Sequence, residues 1–231
     1  MFSENNFFTL NYYMTIKDSY QQLFDENIID KERLFTRSLE MIISCPIATV
    51  DKDWNEILER WETNSNLVVR SMGRQGNKSD ILIDFYREYF GKTVIIDRTN
   101  NAAPRRMIQI WTGEQINITI QNYQIAHVFG RTKNPLTFVA PWNIVLIPKI
   151  VDPFTGHEAR GDYVVEYSKL LKDFIYRKYG LQINAYNEYI EKLWDTEKLA
   201  EIIIGLRDKY GEKELSQVER QLLYEFELIK M

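Results

Sequence analysis

Apolar residues recur at helical spacing near both ends of the chain and alternate with polar residues near its middle. Trp54, Ile57 and Trp61 fall three or four positions apart, which places them on one face of a helix. The same spacing covers residues 162–179, and the glycine that follows is a common helix terminator. The pattern therefore predicts a helical layer over residues 1–65 and a further helix towards the C-terminus.

The middle of the chain carries the pattern of strands. Residues 92–113 are predicted to form a strand, a polar loop and a second strand, after an amphipathic helix at 81–90. Alternation of polar and apolar residues at 115–120 predicts that strand structure continues to Ala126. We therefore expect an α+β fold in a single domain with four parts: a helical layer (1–65), a helix plus strands with basic loops (66–122), a central module (123–180) and a helical tail (181–231).

Composition narrows the class of protein. The chain has 231 residues, of which 45% are hydrophobic and 27% charged, as in a soluble globular protein. No apolar run approaches the roughly 18 residues that a membrane span needs, and the N-terminus lacks the basic region of a secretory signal. The single cysteine, Cys45, excludes an internal disulfide and a multi-cysteine zinc site. A cytoplasmic protein with no membrane association is expected.

The central module holds both histidines of the protein, His127 and His157. A predicted strand ends at His127, a loop follows, and Asn143 opens a second predicted strand. Asp152 and His157 come next, ahead of the helix predicted from Asp162. An imidazole titrates near neutral pH and is well suited to act as a general base. A histidine at a strand end can also be a purely structural hydrogen-bonding group.

This order of strand, loop, strand and helix resembles the HNH, or ββα-metal, nuclease family. The resemblance is carried by YQIAHV at 123–128, WNIVL at 142–146 and DPFTGH at 152–157. It implies a ββα-metal nuclease module embedded in a mostly helical scaffold. It also implies that His127 is the general base, that Asn143 holds the loop or binds metal, and that Asp152 or His157 is the late ligand of Mg²⁺ or Mn²⁺.

Two departures from the family pattern stand beside the resemblance. Ala126 occupies the position directly before the base, where the family often has an acidic residue or a second histidine as the first metal ligand. Asn134, Asp97 and Glu158 are alternative sources of that ligand. The cysteine knuckles that bind zinc in many small members are absent. The large scaffold without zinc resembles a type II restriction endonuclease, which implies cleavage of double-stranded DNA by a homodimer.

Basic residues in three loops are candidate contacts to DNA phosphates. The net charge of −4 is compatible with such contacts, because a local basic groove can coexist with an acidic remainder. The first loop could equally be a solvated connector. Two other functions stay open: a non-catalytic nucleic-acid-binding protein with a degenerate HNH module, and a structural or protein-interaction protein. The candidate DNA contacts are Arg70, Arg74, Lys78, Arg98, Arg105, Arg106, Arg131 and Lys133.

Overall fold

The computed structural model of the protein describes residues 17–72, 78–99, 101–156 and 159–231. Both helices and strands are present, which confirms the α+β class. The helices are α1 (Ser19–Asp25), α2 (Lys31–Glu40), α3 (Ile47–Glu62), α4 (Lys78–Phe90), α5 (Ala102–Thr112), α6 (Pro135–Phe138), α7 (Asp162–Leu193), α8 (Thr196–Tyr210) and α9 (Glu212–Glu225), with a 3₁₀ helix at Lys149–Thr155. The strands are β1 (Ile43–Ser44), β2 (Leu67–Arg70), β3 (Val94–Asp97), β4 (Tyr123–His127) and β5 (Ile144–Pro148).

A three-stranded antiparallel sheet lies at the centre of the molecule, in the order β1-β5-β4. All five residues of β5, Ile-Val-Leu-Ile-Pro, are buried, as expected for an apolar run in a central strand. The register pairs Ala126 with Val145 and His127 with Ile144. The sheet therefore places the end of β4 beside the start of β5, and these strands form the predicted pair on either side of the loop.

A separate two-stranded sheet pairs β2 and β3 in parallel, with α4 as the crossover between them. The register aligns Arg70 with Asp97. The Asp97 carboxylate accepts hydrogen bonds from the Thr99 amide at 3.0 Å, the Thr99 hydroxyl at 2.7 Å and the Ala103 amide at 3.0 Å. Asp97 thus ends β3 and satisfies an amide in the first turn of α5.

The strands predicted within residues 92–122 are only partly correct. Residues 102–112 form a helix instead of a loop and a second strand, because Pro104, Ile108 and Trp111 bury one face at helical spacing. The alternation at 115–120 belongs to a turn, in which the Gln115 carbonyl accepts amide hydrogen bonds from the three residues 118–120. Strand β4 accordingly begins only at Tyr123.

Helix boundaries agree with the sequence where a capping side chain is present. Asp30 caps α2, and its carboxylate accepts a hydrogen bond from the Arg33 amide at 2.9 Å. The predicted break beside Gly180 is confirmed. Tyr179 is non-helical (φ −129°, ψ 22°), and α7 consists of two helices that meet at this kink, the second of which continues to Leu193. Helix α9 begins at Glu212, directly after Gly211, and no side chain caps it.

Buried apolar side chains between Phe35 and Ile229 belong to one core cluster. It contains residues from the N-terminal helices, the three-stranded sheet and the C-terminal helices, which gives these parts a shared interior. Within the described ranges, no helix is long and apolar enough to cross a membrane.

Replacing Leu146 with alanine should destabilise the protein by about 2–5 kcal/mol, because it leaves a cavity in the central strand. Leu146 is fully buried, whereas Ile150, just beyond the strand, is 59% exposed. Urea denaturation checks this expectation, with Ile150→Ala as the control that should change the free energy of unfolding by less than about 0.5 kcal/mol. Equal effects of the two substitutions would contradict the placement of β5 in the core.

Candidate active site

The candidate site is built on the β4–β5 hairpin. His127 is the last residue of β4, and Asn143 directly precedes β5. The Val128 amide donates to the Asn143 carbonyl at 2.9 Å, which extends the pairing of the two strands by one step. The intervening loop contains the short helix α6 and is buried along almost its whole length. His127 and Asn143, two of the residues that the resemblance singles out, are thus neighbours across one hairpin.

The His127 imidazole is 8% exposed and is fixed from one side by Phe138 of α6. Its Nε2 lies 3.0 Å from the Phe138 carbonyl oxygen, and its ring stacks on the Phe138 ring with centroids 5.4 Å apart. A carbonyl oxygen can only accept a hydrogen bond, so Nε2 carries the proton. In the neutral imidazole, Nδ1 is then the nitrogen without a proton. A fixed tautomer is compatible with the predicted role of His127 as a general base.

Asn143 ties the loop together from inside. Its side chain is fully buried, and its Oδ1 accepts a hydrogen bond from the Phe129 amide at 2.8 Å. Its Nδ2 donates to the Gly130 carbonyl at 3.0 Å and to the Thr137 carbonyl at 2.9 Å. The geometry suits the predicted role of holding the loop that orients His127. The further role as a metal ligand stays a prediction; the amide oxygen is buried and already accepts one hydrogen bond.

Asn134 is a second internal anchor of the loop. Its Oδ1 caps α6 by accepting from the Leu136 amide at 2.9 Å. Its Nδ2 lies 3.2 Å from both the Tyr186 hydroxyl and the Glu225 carbonyl. All of the Asn134 amide is therefore used in structure, and this residue is not the missing first metal ligand.

Arg131 does not serve the predicted contact with DNA. It is 8% exposed, and its guanidinium donates to the carbonyls of Phe129 at 2.8 Å, Glu227 at 2.9 Å and Leu228 at 3.0 Å. These bonds use all three of its nitrogens. The side chain anchors the loop to the C-terminus instead of facing a phosphate.

Lys133 is likewise directed inwards. Its Nζ donates to the Thr132 hydroxyl at 3.0 Å, and its backbone amide donates to Oε2 of Glu225 at 2.8 Å. Burial lowers the pKa of the Lys133 ammonium, although the charge of Glu225 acts in the opposite direction. The predicted contact of Lys133 with DNA stays a prediction; the side chain is half-buried and its ammonium is bonded to Thr132.

The remaining predicted DNA contacts lie on two other surfaces. Arg98, Arg105 and Arg106 are exposed, the last two on the outer face of α5, and α5 packs against β1 and β5 of the sheet that carries His127. Arg70 is half-buried at the end of β2, and its amide donates to the Thr132 carbonyl at 2.8 Å. Lys78 begins α4 and donates to Oε1 of Gln217 at 2.6 Å. Arg74 lies outside the described residues.

The described residues do not form a complete metal site. Asp152 is half-buried in the 3₁₀ helix, and Asp97 uses both carboxylate oxygens at the start of α5. His157 and Glu158 lie outside the described residues. Across the described ranges, no group of three or more histidine, cysteine, aspartate or glutamate side chains is arranged to hold a metal ion. The described residues thus supply only part of the predicted ligand set.

Glu225 was not predicted from the sequence to be a buried residue of the site. It is 1% exposed although it carries a carboxyl group. A pattern in the sequence could have indicated it. Leu215, Val218 and Leu222 form the buried stripe of α9, and Glu225 is the next position of that stripe. An acidic side chain on an apolar stripe indicates a buried partner. The identity of that partner, the amide of Lys133, was not accessible from spacing alone.

Comparison with known proteins gives one family. A family model described as "Uncharacterised protein PM1201" matches residues 45–231 of the chain. A protein of Pasteurella multocida (strain Pm70), described as "Uncharacterized protein PM1201", is 34% identical over 180 residues, which cover 78% of this chain and 82% of that protein. No solved structure matches the chain. The matched range includes the whole β4–β5 hairpin and the C-terminal helices.

Replacing Asn143 with alanine should lower the free energy of unfolding by at least about 3 kcal/mol, since it leaves three buried backbone groups without partners. Urea denaturation of the variant measures the loss. Asn55, an exposed residue of α3, provides the matched control. We expect Asn55→Ala to change the stability by less than about 0.5 kcal/mol. If Asn143→Ala were as mild as this control, Asn143 would not be the internal tie of the loop.

Proposed function

The chain belongs to the PM1201 family, and we propose that it is an HNH-like endonuclease that hydrolyses double-stranded DNA. The observation that carries the proposal is the hydrogen bond between Nε2 of His127 and the Phe138 carbonyl, in a loop that Asn143 ties together. This arrangement presets the tautomer and the orientation of an imidazole at the end of a hairpin strand. A site-specific enzyme of the type II restriction class, acting as a cytoplasmic homodimer, is the more specific form of the proposal.

In the proposed reaction, His127 acts as the general base. Its Nδ1 takes a proton from a water molecule, whose oxygen forms a bond to the phosphorus of the scissile phosphodiester. The bond from phosphorus to the leaving sugar oxygen breaks, and that oxygen takes up a proton from solvent. The Phe138 carbonyl favours the imidazolium that forms, because it accepts a hydrogen bond from Nε2 throughout. General base catalysis of this kind contributes about 10²–10⁴-fold to the rate.

Magnesium, or manganese, stays a prediction that rests on the family resemblance. The described residues do not supply a complete set of ligands, so none of the steps above is assigned to a metal ion. Asp152 is the described residue that fits the late ligand position by chemistry, since a carboxylate oxygen suits either ion. His157, the alternative for that position, lies outside the described residues.

A second function has support from a specific observation. Ala126 is buried directly before His127, where the resemblance calls for a metal ligand, and the described ranges contain no cluster of three ligands. Both facts fit a nucleic-acid-binding protein whose HNH module no longer cleaves. A protein of this kind would still bind DNA but would not cleave it.

Replacing His127 with alanine or glutamine should abolish cleavage of mixed-sequence plasmid DNA, with a loss of at least about 10²-fold. Glutamine is the sharper variant, because its amide can still donate to the Phe138 carbonyl but cannot act as a base. Digestion is followed on gels with Mg²⁺ or Mn²⁺ and with a chelator as the control. We expect discrete fragments from the wild type only.

Two outcomes of this digestion would count against the proposal. Cleavage by folded His127→Gln at the wild-type rate would remove His127 as the base. Intact plasmid with the wild type in both metals, together with retained DNA binding, would favour the second function.

Replacing Arg105 with alanine should weaken DNA binding and flatten its dependence on salt, because the residue is proposed to contact a phosphate. The slope of log affinity against log salt should fall by about 0.9 for one lost contact. Fluorescence anisotropy with a labelled duplex across a salt series measures both quantities. Arg207, on α8 and paired with Glu212 at 2.8 Å, provides a control of equal charge. Identical slopes for Arg105→Ala, Arg207→Ala and the wild type would remove α5 from the DNA surface.

A further inference from the structure

The loop that holds His127 is bonded to the end of the chain. We define the C-terminal segment as Tyr224–Ile229, which comprises the last residues of α9 and the extension that follows. The guanidinium of Arg131 donates to two carbonyls of this segment, at Glu227 and Leu228. Arg131 has a left-handed backbone conformation (φ 53°), which is unfavourable for a residue with a side chain. Its bonds to the segment stabilise that conformation.

Glu225 fixes the main chain of the loop from the same side. Its Oε2 accepts from the Lys133 amide at 2.8 Å, its Oε1 accepts from Gln221 at 2.6 Å, and its carbonyl accepts from Asn134 at 3.2 Å. Burial raises the pKa of the Glu225 carboxyl, against the opposing charge of Lys133, and burial lowers the pKa of Lys133. The three hydrogen bonds make Glu225 an acceptor for the loop and for Gln221 of α9.

The contacts of the segment connect to His127 through α6. Asn134, which the segment binds, is the N-cap of this helix, and its carbonyl accepts from the Phe138 amide at 2.9 Å. The Phe138 carbonyl in turn holds Nε2 of His127 at 3.0 Å. A shift of Asn134 would therefore move the group that orients the imidazole. Because α6 has only four residues, it cannot absorb such a shift along its length.

The segment is itself held against the rest of the molecule. The side chain of Asn187, on α7, donates to the Ile229 carbonyl at 2.9 Å and accepts from the Ile229 amide at 2.8 Å. Tyr224 lies so close to Gly130 that a Cβ added there would be 2.5 Å from the tyrosine hydroxyl. The loop and the segment are thus in close contact at position 130, where a Cβ would require the Tyr224 side chain to move.

We propose that the C-terminal segment is the positioning element of the candidate active site, acting on His127 through Arg131 and Glu225. The inference rests on the proposed function, in which His127 is the base. Arg131 and Glu225 touch no reacting atom in this account and are positioning residues. The orientation of the proposed base is in this way set by residues about a hundred positions away along the chain.

The test uses two variants that disrupt contacts of the segment, Arg131→Lys and Glu225→Ala, and one conservative variant, Glu225→Gln. Arg131→Lys keeps the charge but replaces the planar fork of three nitrogens, each bonded to a different carbonyl, with a single ammonium nitrogen. Glu225→Ala leaves the Lys133 amide without its acceptor, whereas Glu225→Gln retains an oxygen at that position. Tyr89→Phe is the control, since it removes a buried hydroxyl bonded to the Asp195 backbone and leaves every contact of the loop in place.

Two quantities are measured for each variant: kcat and KM for DNA cleavage, and the imidazole NMR resonances of His127 across a pH titration. With only two histidines in the chain, the variant His157→Gln assigns the spectrum. Arg131→Lys and Glu225→Ala should shift the His127 resonances and lower kcat by about 10-fold or more, with KM little changed. Glu225→Gln and Tyr89→Phe should resemble the wild type in both quantities.

The NMR readout separates this inference from the proposed function. If the wild type cleaves no DNA but the His127 resonances move in Arg131→Lys and Glu225→Ala, the positioning stands and the nuclease proposal fails. If those resonances and kcat stay at wild-type values while the stability falls, the segment is only a packing element and the inference is overturned. Should one of the two variants not fold, the other decides.

Discussion

The buried hairpin loop between His127 and Asn143 imposes the main constraint on this structure. Backbone N–H and C=O groups that leave water must find partners inside the protein, and a loop has no ladder of its own to supply them. Side chains do so here: Asn143 from within the hairpin, Asn134 at the cap of α6, and Arg131 towards the C-terminus. The loop is therefore as well ordered by hydrogen bonds as the strands that it joins.

This order is what makes His127 a credible base. An exposed loop would let an imidazole sample several rotamers and both neutral tautomers. Here the Phe138 carbonyl selects one tautomer, and the stacked Phe138 ring limits rotation. The same bonds engage the side-chain oxygens of Asn143 and Asn134, each of which accepts one amide hydrogen bond. The contacts that order the loop thus also occupy these two candidate ligand residues.

Much of the hairpin could be predicted from the sequence, because the apolar run of β5 and the positions of His127 and Asn143 are local features. Helix α5 was not predicted from the sequence, because its apolar stripe between Pro104 and Trp111 is short. The same residues also fit a polar loop followed by a strand. Arg131 and Lys133 were assigned to DNA because cations near a proposed base suggest a phosphate. Two partners of the Arg131 guanidinium and the partner of the Lys133 amide lie more than ninety positions away, on the C-terminal segment. Spacing along the chain holds no information on such partners.

The central claim is that the Phe138 carbonyl fixes His127 with Nε2 protonated and Nδ1 as the basic nitrogen. A long-range ¹H–¹⁵N correlation spectrum of the protein with ¹⁵N-labelled histidine, recorded above the pH at which His127 titrates, reports the tautomer directly. The account predicts that Nε2 of His127 bears the proton. A neutral His127 protonated on Nδ1 would contradict it, because the Phe138 carbonyl would then face a nitrogen that has no proton to donate.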